Sequence, residues 1–195
     1  MKTVGIMAKL YFRYGTVSSA KTLNLLAVVH NYEQKKQKAL LIKPKLDDRF
    51  GAELVKSRAG LERKADFLIS DESISDFSGP ILEGVSCVLV DEAQFLSAHC
   101  IDHLRDITVT NNIPVICYGL RTDFRSNLFE GSKRLFELAD SIEEIKTVCT
   151  HCGRKATVNL KLVDGKPTID GPSVQLGCEE TYLPVCFSHY HKLVN

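Results

Sequence analysis

A chain of 195 residues is long enough for one full hydrophobic core with, at most, a small appendage. Its 25 Lys and Arg nearly balance 24 Asp and Glu, which argues against a pervasive electrostatic grip on nucleic acid, although a local basic patch is allowed. A hydrophobic fraction of 44% fits a soluble globular protein, and apolar runs such as Cys87 to Val90 fall far short of the ~20 residues of a membrane span.

Leu10–Tyr14 reads as the first strand and Thr22–Gln34 as the helix after it, with Ala39–Ile42 the next strand. Phe67–Ile69, Cys87–Val90 and Pro114–Tyr118 add three strands, and Ile142–Ile145 a sixth. Ser97 is placed to cap a helix running to about Val109, and Lys133–Leu138 forms another. Strands alternating with helices predict an α/β fold with a mostly parallel sheet over residues 1–146. Lys45–Gly60 breaks the rhythm as a long, charged, glycine-bearing loop, and such loops are often functional. Beyond Thr147 the paired cysteines, the Asp164-Gly165 turn and the alternating residues predict a small β-rich module over 147–195. The N-terminus lacks a cleavage-site pattern, and several of the seven cysteines sit in strand-like runs. Reduced thiols and a cytoplasmic location are therefore expected.

Gly15-Thr16-Val17-Ser18-Ser19-Ala20-Lys21-Thr22 lies between the first strand and helix. Its layout is that of a phosphate-binding loop: backbone N–H groups wrap a polyphosphate, the lysine reaches the outer phosphates, and the hydroxyl takes magnesium. Ala20 stands where the pattern has a second glycine. A methyl is tolerable there in the right-handed helical conformation but not at positive φ. The helical conformation is expected, since the helix begins at the next residues. The strand ending in Asp91-Glu92 puts two carboxylates at the carboxyl edge of the sheet, where open α/β folds bind ligands. Asp91 suits the magnesium shell and Glu92 suits accepting a proton from an attacking hydroxyl. Cys149-x-x-Cys152 and Cys186-x-x-His189 supply two ligand pairs for tetrahedral zinc. That set leaves no open position, so the metal would be structural; His151 and His191 are the rival ligands and are expected to be exposed. Asp47-Asp48-Arg49 carries an arginine suited to phosphoryl oxygens. In Tyr118–Phe124, Leu120 and Phe124 are placed to wall an apolar slot for a flat base.

These motifs, in this order and spanning Lys9 to Tyr190, resemble the thymidine kinases built on a phosphate-loop core with a zinc-bearing lasso. The resemblance implies a RecA-like core and transfer of the ATP γ-phosphate to the 5′-hydroxyl of thymidine or deoxyuridine, a step in pyrimidine salvage and DNA precursor synthesis. It makes Glu92 the general base and sets Arg49 at the 5′ region. It gives the phosphates and magnesium to Gly15 through Thr22 with Asp91 and Gln94. Phe95, Leu120, Phe124 and Phe129 become pocket positions. Val174, Gln175, Leu176, Gly177 and Cys178 form the lasso over the base, with Tyr182 packing on sugar and base; Cys178 stands where the family has glycine. The same resemblance implies a homotetramer inhibited by thymidine triphosphate, with no nucleic-acid or membrane partner. The alternative reading of the residues is a phosphate-loop ATPase whose zinc ribbon binds nucleic acid.

Overall fold

The computed structural model describes residues 7–47, 51–171 and 181–194. Arg49 and the stretch Val174 to Cys178 lie outside them. In chain order the core runs through β1 (Leu10–Tyr14), α1 (Lys21–Gln34) and β2 (Lys38–Pro44). A hairpin of β3 (Leu54–Lys56) and β4 (Glu62–Lys64) comes next, then β5 (Phe67–Ile69) and β6 (Val85–Val90). The core closes with α2 (Ala98–Thr110), β7 (Val115–Gly119), α3 (Glu130–Leu138) and β8 (Ser141–Glu144). Six strands form one sheet in the order β5-β2-β6-β7-β1-β8, and every pairing in it is parallel.

The strands are buried on both faces, so their sequences read as continuous apolar runs whose alternate residues serve two cores. Leu40, Ile42, Val88, Val90, Leu10 and Phe12 face one side, where Ile101, Leu104 and Ile107 of α2 and Leu135 of α3 cover them. Ala39, Leu41, Cys87, Leu89 and Ile116 face the other, under Leu25, Leu26 and Val29 of α1. Leu25, Leu89 and Leu104 are fully buried, and each contributes about 1.5–3 kcal/mol by leaving water. Ser97 caps α2 as its sequence predicts, its hydroxyl accepting from the Cys100 N–H at 3.1 Å.

The C-terminal part is a three-stranded antiparallel sheet with central strand β9 (Val158–Val163) between β10 (Lys166–Thr168) and β11 (Thr181–Val185), followed by α4 (Phe187–Val194). The β9–β10 turn uses Asp164 and Gly165, both at positive φ (50° and 74°), as a tight two-residue hairpin requires. Val158, Leu160, Val185 and Tyr190 make a small core of their own beside Cys149 and Cys186.

One expectation fails in this region of the chain. Lys45–Gly60 is not a plain loop: its second half is β3 and the start of a tight turn, paired with β4 from Leu54↔Lys64 to Lys56↔Glu62. The hairpin carries few apolar residues, so it gives no periodic signal.

Candidate active site and metal centre

The carboxyl ends of β1, β6 and β7 meet at one edge of the sheet, with β7 between the other two. The turn from β1 into α1 is tight. A Cβ on Gly15 would stand 2.4 Å from Ser19 Oγ and 2.5 Å from the Ile145 carbonyl oxygen, so only glycine fits. The Lys21 ammonium donates to the carbonyls of Gly15 (3.2 Å) and Thr16 (2.7 Å), which hold it in the curl of the loop. Thr22 Oγ1 donates to the Asp91 carboxylate at 3.2 Å, joining the start of α1 to the end of β6. Burial and the neighbouring Glu92 charge push Asp91 up to about 7.

Ala20 departs from expectation. It is left-handed (φ 63°, ψ 26°), not right-handed helical. The fold imposes this because the chain must reverse within the turn while the Ala20 carbonyl already accepts from the Asn24 N–H at 2.9 Å. A conformation that glycine adopts freely is held here by an alanine, with a strain of ~1–2 kcal/mol.

Glu92 is also left-handed (φ 49°, ψ 37°), at the abrupt turn between β6 and the short 3-10 segment Ala93–Phe95. Its carboxylate accepts from the Gln94 side-chain amide. Gln94 is 2% exposed, and its Oε1 accepts from the Leu120 N–H at 3.0 Å. Both ends of that amide thus engage protein groups, one orienting the glutamate and the other fixing the turn after β7. Glycine at 119 allows the approach, since a Cβ there would stand 2.7 Å from Gln94 Oε1.

A cavity of about 470 Å³ opens at this edge, lined among others by Ser18, Lys21, Thr22, Arg58, Glu92 and Leu120. Five of these were expected at the site, Leu120 among them as the pocket wall. Arg58 was not. The tip of the β3–β4 hairpin carries it over the loop, and its guanidinium donates to Ser18 Oγ. Only the length and charge of Lys45–Gly60 hinted at a role. A second unforeseen group is Lys43, 1% exposed, whose ammonium pairs with Asp47 at 3.2 Å and donates to the Leu54 carbonyl at 3.2 Å. It ties the stretch entering Asp47-Asp48-Arg49 to the base of the hairpin.

The aromatic positions divide. Phe95 and Phe129 pack edge to face with centroids 5.8 Å apart, and Phe95 borders a second cavity of about 410 Å³ with Leu46, Ile69 and Ser97. Phe124 is 1% exposed and does not line the 470 Å³ cavity. Arg125 and Lys161 lie over that ring at 4.9 Å each, and half-buried Tyr182 has its centroid 6.4 Å away.

Cys149, Cys152, Cys186 and His189 converge, with all donor atoms within 4.8 Å of one another. Cys152 and Cys186 sulfurs are 3.9 Å apart, and His189 Nδ1 is 3.3 Å from the Cys186 sulfur. Burial pushes the Cys149 thiol up, but hydrogen bonds from the Cys186 and His151 amides and from His189 outweigh it and bring the thiol to about 6. Three thiols and an imidazole gathered this tightly fit a soft, four-coordinate metal. His151 and His191 are exposed and stay outside the cluster, as expected.

A glycine-started turn between β1 and α1, a threonine shared with the strand-end aspartate, and an adjoining glutamate give this α/β protein the layout of a phosphate-binding loop at the carboxyl edge of its parallel sheet. The family model described as thymidine kinase matches residues 8–190. A thymidine kinase of Streptococcus pyogenes serotype M3 is 45% identical over 184 residues, covering 94% of this chain and 97% of its own. Those of Streptococcus gordonii and Lactococcus lactis are each 45% identical over 186 residues, covering 95% of this chain and 97% and 98% of theirs. The chain belongs to the thymidine kinase family, and it is a kinase. No helix among the described residues is long and apolar enough to cross a membrane.

Proposed function

We propose that this chain transfers the γ-phosphate of ATP to the 5′-hydroxyl of thymidine, giving thymidine monophosphate for DNA precursor synthesis, with deoxyuridine as a second acceptor. The observation that carries the reading is the single cavity shared by Lys21, Thr22 and Glu92, within a chain whose relatives are thymidine kinases. Lys21 follows the migrating phosphoryl group, while loop amides hold the β- and γ-phosphates. Glu92, oriented by Gln94, takes the proton of the 5′-hydroxyl as the new P–O bond forms and the bond to ADP breaks. Thr22 and, through water, Asp91 would hold magnesium, which supplies charge against the phosphoryl oxygens. Zinc would sit in the Cys149, Cys152, Cys186 and His189 cluster, with no open position and hence a structural role.

Arg49 at the 5′ end, the lasso from Val174 to Cys178 with Tyr182, the homotetramer, inhibition by thymidine triphosphate and a cytoplasmic location rest on the family resemblance. Near-neutral charge favours this reading over a nucleic-acid-binding ATPase. A single-turnover assay with ATP and a panel of nucleosides tests it: thymidine monophosphate is the expected main product. ATP hydrolysis without nucleoside phosphorylation would refute it. Glu92→Gln should keep thymidine binding and lose ~10²–10⁴ in turnover; near-normal turnover would remove Glu92 from the base role.

A further inference from the structure

The phosphate loop is fastened to the metal-bearing part of the molecule by a buried side chain that the activity does not require chemically. Asn159 lies on β9, the central strand of the three-stranded sheet, and is 4% exposed. Its Oδ1 accepts from the Val17 N–H at 2.9 Å, and its Nδ2 donates to the Thr122 carbonyl at 3.2 Å. A backbone N–H only donates and a carbonyl only accepts, so these partners fix which way the amide points. Other contacts cross the same joint. Arg121 donates to the Thr157 carbonyl at 3.1 Å, and Tyr190 donates to the Phe124 carbonyl at 2.6 Å. Asn159 differs from these two in reaching the phosphate loop itself.

Two consequences follow. The Val17 N–H, third in the loop proposed to take the ATP phosphates, is directed at Asn159, so it anchors the loop. Thr122 lies two residues beyond Leu120, which lines the cavity, and belongs to the segment whose turn Gln94 also fixes. One amide group therefore holds the phosphate loop, the segment after β7 and the central strand of the metal-bearing sheet in fixed relation. We infer that Asn159 is a positioning residue for the phosphate loop: by tying Val17 and the segment after β7 to β9, it keeps the loop in the form that takes the ATP phosphates. The chemistry demands asparagine. Leucine, of similar size, would leave a buried N–H and a buried carbonyl unpaired, and aspartate would turn a carboxylate oxygen on the Thr122 carbonyl.

The inference rests on the reading that Gly15–Thr22 holds the ATP phosphates, and the experiment separates the two. Binding of a non-hydrolysable ATP analogue with magnesium, and of thymidine, is measured separately. Asn159→Leu and Asn159→Asp are compared with the wild type, with zinc content and melting temperature determined in parallel. In both variants the analogue should bind about tenfold more weakly and the KM for ATP should rise by a similar factor, a loss in keeping with one or two buried hydrogen bonds. Thymidine should bind within threefold of wild type, and zinc should be retained. Unchanged analogue affinity in the zinc-loaded variants would overturn the inference. So would equal weakening of thymidine and analogue, which marks general loosening of the sheet. A wild-type protein that binds no ATP analogue would refute the phosphate-loop reading first, and this inference with it.

Discussion

Ala20 and Glu92 are two non-glycine residues held at positive φ on the rim of one cavity, and each shows what the surrounding contacts sustain. At Glu92 the turn aims a carboxylate that Gln94 then holds. At Ala20 nothing compensates beyond the loop's own hydrogen bonds. Ala20→Gly should therefore stabilise the fold by about 1 kcal/mol, a rise of roughly 2–4 °C in melting temperature. The KM for ATP should change less than threefold, because glycine adopts the same left-handed conformation and leaves the loop's shape unaltered. A lower melting temperature would show that the left-handed alanine is unstrained. Asp91 gives a pH dependence. Its pKa stands at about 7 in the folded chain against 3.8 unfolded, so between those values the folded state holds a proton the unfolded state has lost. Its contribution to the ligand-free fold falls as pH rises through that window. Magnesium and nucleotide prefer the carboxylate, so their affinity should climb from pH 5 towards about 7 and then level off. The climb should be visible as a wild-type to Asp91→Asn ratio in calorimetry, and a flat ratio would exclude Asp91 from the site.

At the scale of elements, the β3–β4 hairpin is the part of the core that serves the site without serving the sheet. Val55 is its deeply buried apolar anchor. The Lys43–Asp47 pair and the Leu54 carbonyl hold its base, and Arg58 leans from its tip onto Ser18. A guanidinium over a phosphate loop favours a bound polyphosphate more than a neutral nucleoside. Arg58→Ala should raise the KM for ATP roughly tenfold and leave that for thymidine unchanged in steady-state assays. Equal effects on both would mean that the hairpin acts only by covering the cavity.

For the whole molecule, the small C-terminal core is too limited to stand by packing alone: a few apolar side chains are gathered around Cys149 and Cys186. Metal binding is expected to supply much of its folding free energy. Elemental analysis should find one zinc per chain, and Cys149→Ser should abolish it, lower the melting temperature and weaken thymidine binding. Full zinc content in that variant would remove Cys149 from the ligand set.

The sequence alone determined the parallel α/β core, the turn between its first strand and helix, the Asp91–Glu92 strand end and the grouping of Cys149, Cys152, Cys186 and His189. Each of these is encoded locally, by apolar runs, by fixed spacing of a few residue types, or by a cap such as Ser97. Tertiary structure decided the conformation of Ala20, the placement of Arg58 and Lys43, the burial of Phe124 and the two hydrogen bonds of Asn159. None of these has a local signature. A backbone dihedral at a helix entry answers to the contacts that pull the chain around the turn, and one arginine or asparagine in a polar stretch looks like any surface residue. Asn159 meets Val17 across 142 positions of chain, and only the packing of β9 against the sheet edge brings a donor and an acceptor together there with water excluded.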